Sequence, residues 1–378
     1  MTKYDVAKKF QLQGEIDSIT PYGEGHINDT FLVTMKDSST QYILQRLNTK
    51  IFTNYRGLME NIQKVTAVMQ NIVQEQGGDV SRECMQLIPT LEGKAYYVNV
   101  SDCWRVYVFV KDTVVYQVID SPDVFENTGE AFGRFIARLD GFEANTLCEV
   151  IPNFHNTVDR YNKFLTAIEQ NKSGRADKVQ NEISFVKARA DKLSLIVDAL
   201  ERKQIPLRVT HNDTKINNVL IDKSTGKAIC IIDLDTIMPG SLLYDFGDSI
   251  RSGCNTALED EKDLSLVDFD INLYEAYCRG FLRGIGEKIT VKELEMLHLG
   301  AIIITLECGI RFLTDYLDGD VYFKTQYDDH NLVRCHTQFK LVEKMESKSK
   351  QMLEIARKCK NNLSDSYTNR KLPTTSRL

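Results

Sequence analysis

Thr210-His211-Asn212-Asp213-Thr214-Lys215-Ile216-Asn217-Asn218 is the densest cluster of reactive side-chain types in this 378-residue chain, and Asp233-Leu234-Asp235 follows a short way downstream. His211, Asp213 and Asn218 satisfy the pattern H-x-D-x-x-x-x-N. Two brief apolar stretches come next, Asn218–Asp222 and Ala228–Asp233, joined by the polar turn Lys223–Gly226. That combination predicts a hairpin. A hairpin carries Asp233 back to the level of Asn218, so two carboxylates and an amide are expected to converge beside the Asp213 loop. A turn rich in Asp and Asn is on its own only a turn. The hairpin ending in Asp-x-Asp sets this one apart.

Transfer of a phosphoryl group needs such a set, and H-x-D-x-x-x-x-N is the pattern of a kinase catalytic loop. One carboxylate orients the acceptor hydroxyl and takes its proton, while an Asp and an Asn hold Mg²⁺ on the phosphates. Mg²⁺ is a hard cation that prefers oxygen donors. Asp213 is the expected base and Lys215, two residues on, is placed to reach the transferring phosphate. Asn218 and Asp233 are the expected metal ligands. Asp235 is either a further ligand or a support for one. His211 is read as structural, bonding the loop rather than reacting.

Outward from this cluster the chain changes character. Before residue 110 it reads mostly as strands: Phe31–Met35 and Gln41–Leu47 across the turn Lys36–Thr40, then Lys94–Val100 and Trp104–Val110. Between them Leu58, Ile62, Val65, Met69 and Ile72 recur at three and four residues, the period of one apolar helix face, and Gly77-Gly78 ends it. Gly23 and Gly25 lie in a turn-rich loop between candidate strands, where a kinase covers the nucleotide phosphates. His26 and Asn28, near the loop tip, are candidates to reach a substrate. One kinase part is missing. The position of the phosphate-pairing strand lysine is Gln45; Arg46 is adjacent, but side chains alternate along a strand, so both cannot face one way. Glu60, on the helix that would partner such a lysine, reads as a solvated charge.

From about Val124 the pattern is helical: Phe125–Leu139, Thr157–Gln170, Lys178–Arg202, Asp270–Arg283, Val291–Tyr316 and His336–Lys358. Asn361–Leu378 is polar, basic and rich in Ser and Thr, and is expected to be a disordered tail. The fold class is therefore α+β. A two-lobed, kinase-like arrangement follows: an N-terminal nucleotide-binding lobe (1–110), small, antiparallel and with one main helix; a larger, mainly helical catalytic lobe (111–360); and the tail (361–378).

Composition narrows the partners. Lys and Arg number 47 against 53 Asp and Glu, a formal charge of −6. A dedicated nucleic-acid or anionic-membrane binder usually shows a basic face, so neither partner is expected. Nine scattered cysteines form no C-x-x-C pair, which argues for reduced thiols in a cytosol rather than a disulfide framework or zinc site. Met1–Gln13 has no apolar core of a secretory signal. The most apolar run, Leu297–Leu313, is interrupted by Glu307 and Arg311 and does not read as a membrane span. A cytoplasmic monomer is the expectation.

His211–Asn218, Asp233–Asp235 and Tyr244-Asp245-Phe246-Gly247-Asp248 resemble the aminoglycoside phosphotransferase and choline kinase superfamily, with its protein-kinase-like fold. More closely, Gly25-His26-Ile27-Asn28-Asp29-Thr30, His211–Asn218 and Asp233–Gly240 resemble the N-acetylhexosamine 1-kinases, in the expected order along most of the chain. That resemblance implies ATP-dependent phosphorylation of GlcNAc or GalNAc at the anomeric hydroxyl. It implies Asp213 as base, Asn218 and Asp233 as magnesium ligands, and Asp245 as a brace for the loop. Glu307–Phe312 and Tyr322 resemble the sugar-pocket region, where Arg311 can donate a fork of hydrogen bonds and Tyr322 a hydroxyl or a ring face. The bland alternative for Arg311 is an ion pair with Glu307 one helical turn away. Adenine is placed near Phe109 and Val110 by fold alone. The runner-up functions are another small-molecule kinase of the superfamily, acting on an aminoglycoside, choline or a similar alcohol, and a non-catalytic nucleotide-binding pseudokinase, which the missing lysine motivates.

Overall fold

A computed structural model describes the chain except residues 24–26, 37, 101, 120 and 372–378, and except the side chains of 364–371. Among the described residues the helices are α1 (Lys3–Ala7), α2 (Tyr55–Glu75), α3 (Val80–Glu83), α4 (Pro122–Arg138), α5 (Thr157–Gln170), α6 (Gln180–Lys187), α7 (Leu195–Glu201), α8 (Leu242–Gly253), α9 (Ile271–Ile285), α10 (Val291–Asp318) and α11 (His330–Lys371). The strands are β1 (Ile16–Pro21), β2 (Asp29–Met35), β3 (Gln41–Leu47), β4 (Tyr97–Asn99), β5 (Asp102–Val108), β6 (Thr113–Val114), β7 (Arg208–Thr210), β8 (Val219–Asp222), β9 (Ala228–Ile231) and β10 (Met238–Gly240). They gather into two compact units. The first comprises Met1–Val115, Gly141–Pro152 and Asn218–Pro239; the second comprises Tyr116–Asp140, Asn153–Asn217 and Gly240–Leu378.

The first unit is built on an antiparallel sheet in the order β1-β2-β3-β5-β4. Its register sets Thr30 opposite Gln45 and Gln45 opposite Arg105. Alternation then sends Tyr42, Leu44, Trp104 and Val106 to one face, where they bury with Val33, Met35 and the α1 residues Val6 and Ala7. Gln45, Arg105 and Tyr107 take the opposite face. A second small sheet, β6-β8-β9, explains why residues 218–239 belong to this unit: Thr113 pairs with Asp222 and Val114 with Ile221. Residues 141–152 join it through α2. The buried Asn61 amide donates to the carbonyls of Cys148 (2.8 Å) and Ile237 (2.9 Å) and accepts the Cys148 N–H (2.8 Å). The sequence places one boundary near residue 110; these two later segments also join the first unit.

The second unit is helical. Its α4–α9 crossing is close because glycines face each other: a Cβ on Gly129 would lie 2.5 Å from the Tyr277 carbonyl oxygen, and one on Gly280 would collide with the Glu126 carbonyl oxygen. Arg279 and Arg283 pair with Glu126 along the seam. Gly247 of α8 meets Gly300 of α10 in the same way, carbonyl to Cβ position at 2.5 Å. Backbone cannot move aside as a flexible side chain can. Gly280→Ala is therefore expected to destabilise the protein by about 1–3 kcal/mol or more, read as a drop in the urea midpoint; an unchanged midpoint would refute this seam. Helix α10, long and apolar enough to cross a membrane, has 83% of its most apolar stretch buried within the protein.

Two predicted elements differ. Lys178–Arg202 is not one helix: a 3₁₀ turn at Ala190–Lys192 separates α6 from α7, and the Leu193 carbonyl turns out to accept the Thr157 hydroxyl. Helix α11 runs on to Lys371, through residues assigned from composition to a tail. Once a helix is nucleated, each further bond fixes only one residue.

Candidate active site

In the helical unit, strand β7 delivers the Asp213 loop. Arg208 anchors the strand, its buried guanidinium bonded to Glu293 (2.7 Å) and Asp140 (2.9 Å). His211 is fully buried edge-on to the rings of Phe132 and Phe135. Its Nδ1 accepts the Asp213 N–H at 3.3 Å, so it shapes the loop. Asn212 adopts a left-handed conformation (φ 63°), which Asn tolerates better than most residues. Helix α8 then clamps the turn from below. The Asp245 carboxylate accepts the N–H groups of His211 (2.8 Å) and Asn212 (2.7 Å), the Thr214 hydroxyl donates to the Asp245 carbonyl (2.6 Å), and the Thr214 N–H donates to Asp248 (3.1 Å). Asp248 is itself held by Arg251 at 2.9 Å. What the clamp presents is Asp213, about a third exposed, with the half-exposed Lys215 ammonium 2.9 Å from its carboxylate. The charge of Asp213 raises the Lys215 pKa, and Asp248 adds to it. Lys215 is therefore a fixed cation.

Burial pushes the Asp245 carboxyl up to about 6, while the neighbouring His211 and the two backbone N–H groups pull it down. The folded value lies above the ordinary aspartate value of about 3.9. Stability from this group is therefore complete below about pH 4 and declines as pH rises to about 6. Asp245→Asn is expected to flatten that decline. It is also expected to lower stability at pH 7, because an amide has one acceptor where two N–H groups need acceptors. Urea unfolding between pH 4 and 7 reads both; parallel curves for variant and wild type would refute the assignment.

In the strand unit, the hairpin predicted from sequence forms as β8 and β9, with Val219 opposite Ile231 and the Ile232 N–H bonded to the Asn218 carbonyl at 2.9 Å. Asn218 and Asp233 thus sit at the same end of one hairpin. Asp233 is exposed and left-handed (φ 60°, ψ 64°), leading into a 3₁₀ turn at Leu234–Thr236. The two offer hard oxygen donors. Among the described residues no group of three or more His, Cys, Asp or Glu side chains forms a metal cage. That donor set fits Mg²⁺, which keeps several waters and binds through one or two carboxylates plus phosphates. Asp235 turns the other way and is buried: Arg105 Nη1 lies 2.5 Å from one oxygen, and Asn28 Nδ2 donates to the other at 2.6 Å. Asn28 thereby lies beside the Asp233 turn.

Of the remaining predicted residues, Gly23 has φ 76°, with no described residue beyond its chain neighbours within 4 Å of a Cβ built there, while Gly25 and His26 lie outside the described residues. Phe109 continues β5, its N–H bonded to the Gln41 carbonyl (2.9 Å) and its ring 5.5 Å from Tyr22; Val110 is buried beside it. Gln45 faces Arg105, whereas Arg46 points to the other face and pairs with Asp29. Glu60 is exposed and the buried Met59 faces the sheet in its place. In the helical unit Arg311 lies between the rings of Phe154 (5.4 Å) and Phe323 (5.5 Å). Glu307 pairs with His155 (3.0 Å). Tyr322 is exposed, tethered by its N–H to Asp315. Sequence reasoning missed His155 and Arg105. Neither stands in a motif, and each is recruited by a partner more than a hundred residues away.

An antiparallel sheet unit carrying an Asn–Asp hairpin end, and a helical unit with a clamped Asp loop, define a protein-kinase-like phosphotransferase. Residues 18–287 match the phosphotransferase enzyme family typified by aminoglycoside phosphotransferases, and the chain belongs to that family. Among solved structures it is similar to an aminoglycoside phosphotransferase of Alicyclobacillus acidocaldarius (13% identity, TM-score 0.59, 96% of this chain and 97% of that one). It is also similar to a microcompartment-associated aminopropanol kinase (14% identity, TM-score 0.57, 92% and 96%). A Plasmodium vivax ethanolamine kinase aligns over 86% of this chain and 82% of its own, at 11% identity and a TM-score of 0.52.

Proposed function

We propose that this phosphotransferase is an ATP-dependent N-acetylhexosamine 1-kinase. The observation that carries the substrate is the run of long motifs, Gly25–Thr30, His211–Asn218 and Asp233–Gly240, in order along a chain of this family. In this reading Asp213 accepts the proton of the anomeric hydroxyl as the sugar oxygen attacks the γ-phosphorus, and ADP leaves. Lys215 offsets charge on the transferring phosphoryl group. Asn218 and Asp233 hold Mg²⁺, which when bound neutralises the phosphates. Adenine lies along Phe109 and Val110, and Gly23 and Gly25 are assigned to the nucleotide. Arg311, stiffened between two rings, donates to the acetamide carbonyl, with Tyr322, His26 and Asn28 completing the sugar side. The protein works as a cytoplasmic monomer, where ATP is abundant and its nine thiols stay reduced.

The test is a sugar panel with coupled ADP release, the phosphorylated position assigned by ³¹P NMR. Turnover of GlcNAc or GalNAc to the 1-phosphate supports the reading. Turnover confined to an aminoglycoside, choline or another small alcohol would sink the substrate. No turnover of any acceptor by a chain that binds nucleotide would favour the pseudokinase.

A further inference from the structure

We propose that Arg105 is a positioning residue for the metal-holding turn, acting through its buried pair with Asp235. The usual partners are absent: the strand position is Gln45, and the α2 residue facing its neighbour Arg105 is Met59. The cation comes instead from the neighbouring strand. Arg105 lies directly opposite Gln45 in the β3–β5 register and donates Nε–H to its side-chain oxygen at 2.9 Å. Its guanidinium is 1% exposed, with Met59 Sδ 4.0 Å away and the Tyr107 ring 5.2 Å away. From there it reaches Asp235 at 2.5 Å.

Both carboxylate oxygens of Asp235 are occupied by side chains of the strand unit, one by an ion-pair contact and the other by a hydrogen bond. Arg105 takes one carboxylate oxygen and Asn28 the other, and Asn28 is fixed in turn by accepting the Asn48 N–H at 3.0 Å. Asp235 is therefore not a magnesium ligand. Its role is to hold the residue two before it. Asp233 has a backbone conformation that L-residues avoid, and such a conformation persists only where its surroundings over-determine it. Upstream the Ile232 N–H is tied to Asn218; downstream Asp235 is tied to β5 by Arg105. The next anchor is Asn61, gripping the Ile237 carbonyl at 2.9 Å. Arg105 thus sets where the Asp233 carboxylate stands relative to Asn218. Groups that orient metal ligands in this way typically matter 10- to 100-fold in metal affinity.

The inference rests on the phosphoryl-transfer reading and is independent of the sugar. The probe is Mn²⁺ with ADP, whose binding is followed by electron paramagnetic resonance without any acceptor, on wild type and on Arg105→Lys, Arg105→Met, Asp235→Asn and the double variant Arg105→Met/Asp235→Asn. Removing one partner of a buried pair leaves an uncompensated charge, whereas removing both does not. The double variant is therefore expected to recover most of the thermal stability lost by the single ones, yet to bind Mn²⁺·ADP at least tenfold more weakly than wild type. Arg105→Lys keeps the charge without the fork and is expected to fall between. Wild-type affinity in the stable double variant would overturn the proposal, leaving the pair a structural one. Tighter Mn²⁺ binding in Arg105→Met would overturn it differently, by showing that Asp235 is a ligand freed from its competitor. On wild type itself, electron–nuclear double resonance with ¹³C-carboxyl aspartate is expected to show one coordinated aspartate, and two would overturn the proposal even if every variant misfolded. Absence of a Mn²⁺·ADP signal in wild type would overturn the phosphoryl-transfer reading itself.

Discussion

Asp213→Ala is expected to take phosphoryl transfer to background while leaving nucleotide binding in place. A positioned acid–base group is typically worth about 10²- to 10⁴-fold, and loss of the carboxylate also removes the group that orients the acceptor hydroxyl. The loop should survive the change. Its shape is held by Asp245, Asp248 and the His211 ring, and Asp213 contributes through a side chain that is a third exposed. Substitutions at such positions usually stay within about 0.5 kcal/mol, so the melting temperature is expected to change little. Asp213→Asn sharpens the test. It keeps the size and a hydrogen-bonding group but cannot take a proton, and it leaves Lys215 facing a neutral amide in place of the carboxylate 2.9 Å away. Both variants should be equally inactive in the coupled assay and should bind ADP as wild type does. Turnover equal to wild type would mean that the assay reports a contaminant or that another residue is the base.

The parts of this picture that local patterns predict are those where one period governs one element. Of the predicted α2 face, Leu58, Ile62, Val65 and Met69 are buried as their spacing requires, and Ile72 near the helix end is half-buried. The hairpin between Asn218 and Asp233 forms where two short apolar runs flank a Gly turn. Alternation along β3 rightly separated Gln45 from Arg46, which faces Asp29 instead. Arg105 was invisible for the complementary reason. In Trp104-Arg105-Val106-Tyr107 a charge between large apolar residues reads as the solvent side of a half-buried strand. Its burial depends on a strand register set by β3 and on a carboxylate supplied from beyond the second hairpin. Helix α8 was read only as a motif, Tyr244–Asp248; that nearly all its residues are buried, the charged Asp245, Asp248 and Arg251 included, is set by tertiary packing that no local period shows. The ion pair considered for Arg311 and Glu307 is helical arithmetic; tertiary packing gives Glu307 to His155 and Arg311 to two aromatic rings.

Asp233 is where backbone and chemistry can be separated experimentally, and the expected loss of activity there is as large as at Asp213. Its carboxylate is the one anionic donor assigned to the metal, and without it the phosphates keep only an amide and water as support. Asp233→Asn, Asp233→Ala and Asp233→Gly are all expected to lose phosphoryl transfer by roughly 10³-fold or more, the scale on which charge stabilisation of a transferring phosphoryl group acts. Stability should rank differently. At φ 60° and ψ 64°, glycine adopts the conformation without steric cost and asparagine tolerates it, whereas a left-handed alanine costs about 1–2 kcal/mol. Thermal unfolding is therefore expected to place Asp233→Gly and Asp233→Asn near wild type and Asp233→Ala several degrees lower. A metal titration separates the two effects. If excess Mg²⁺ restores the asparagine variant toward wild-type turnover, the carboxylate acts by binding the ion. Full activity in the alanine variant at ordinary Mg²⁺ would show that the metal is held elsewhere, and the hairpin end would then be a structural turn that happens to carry an acid.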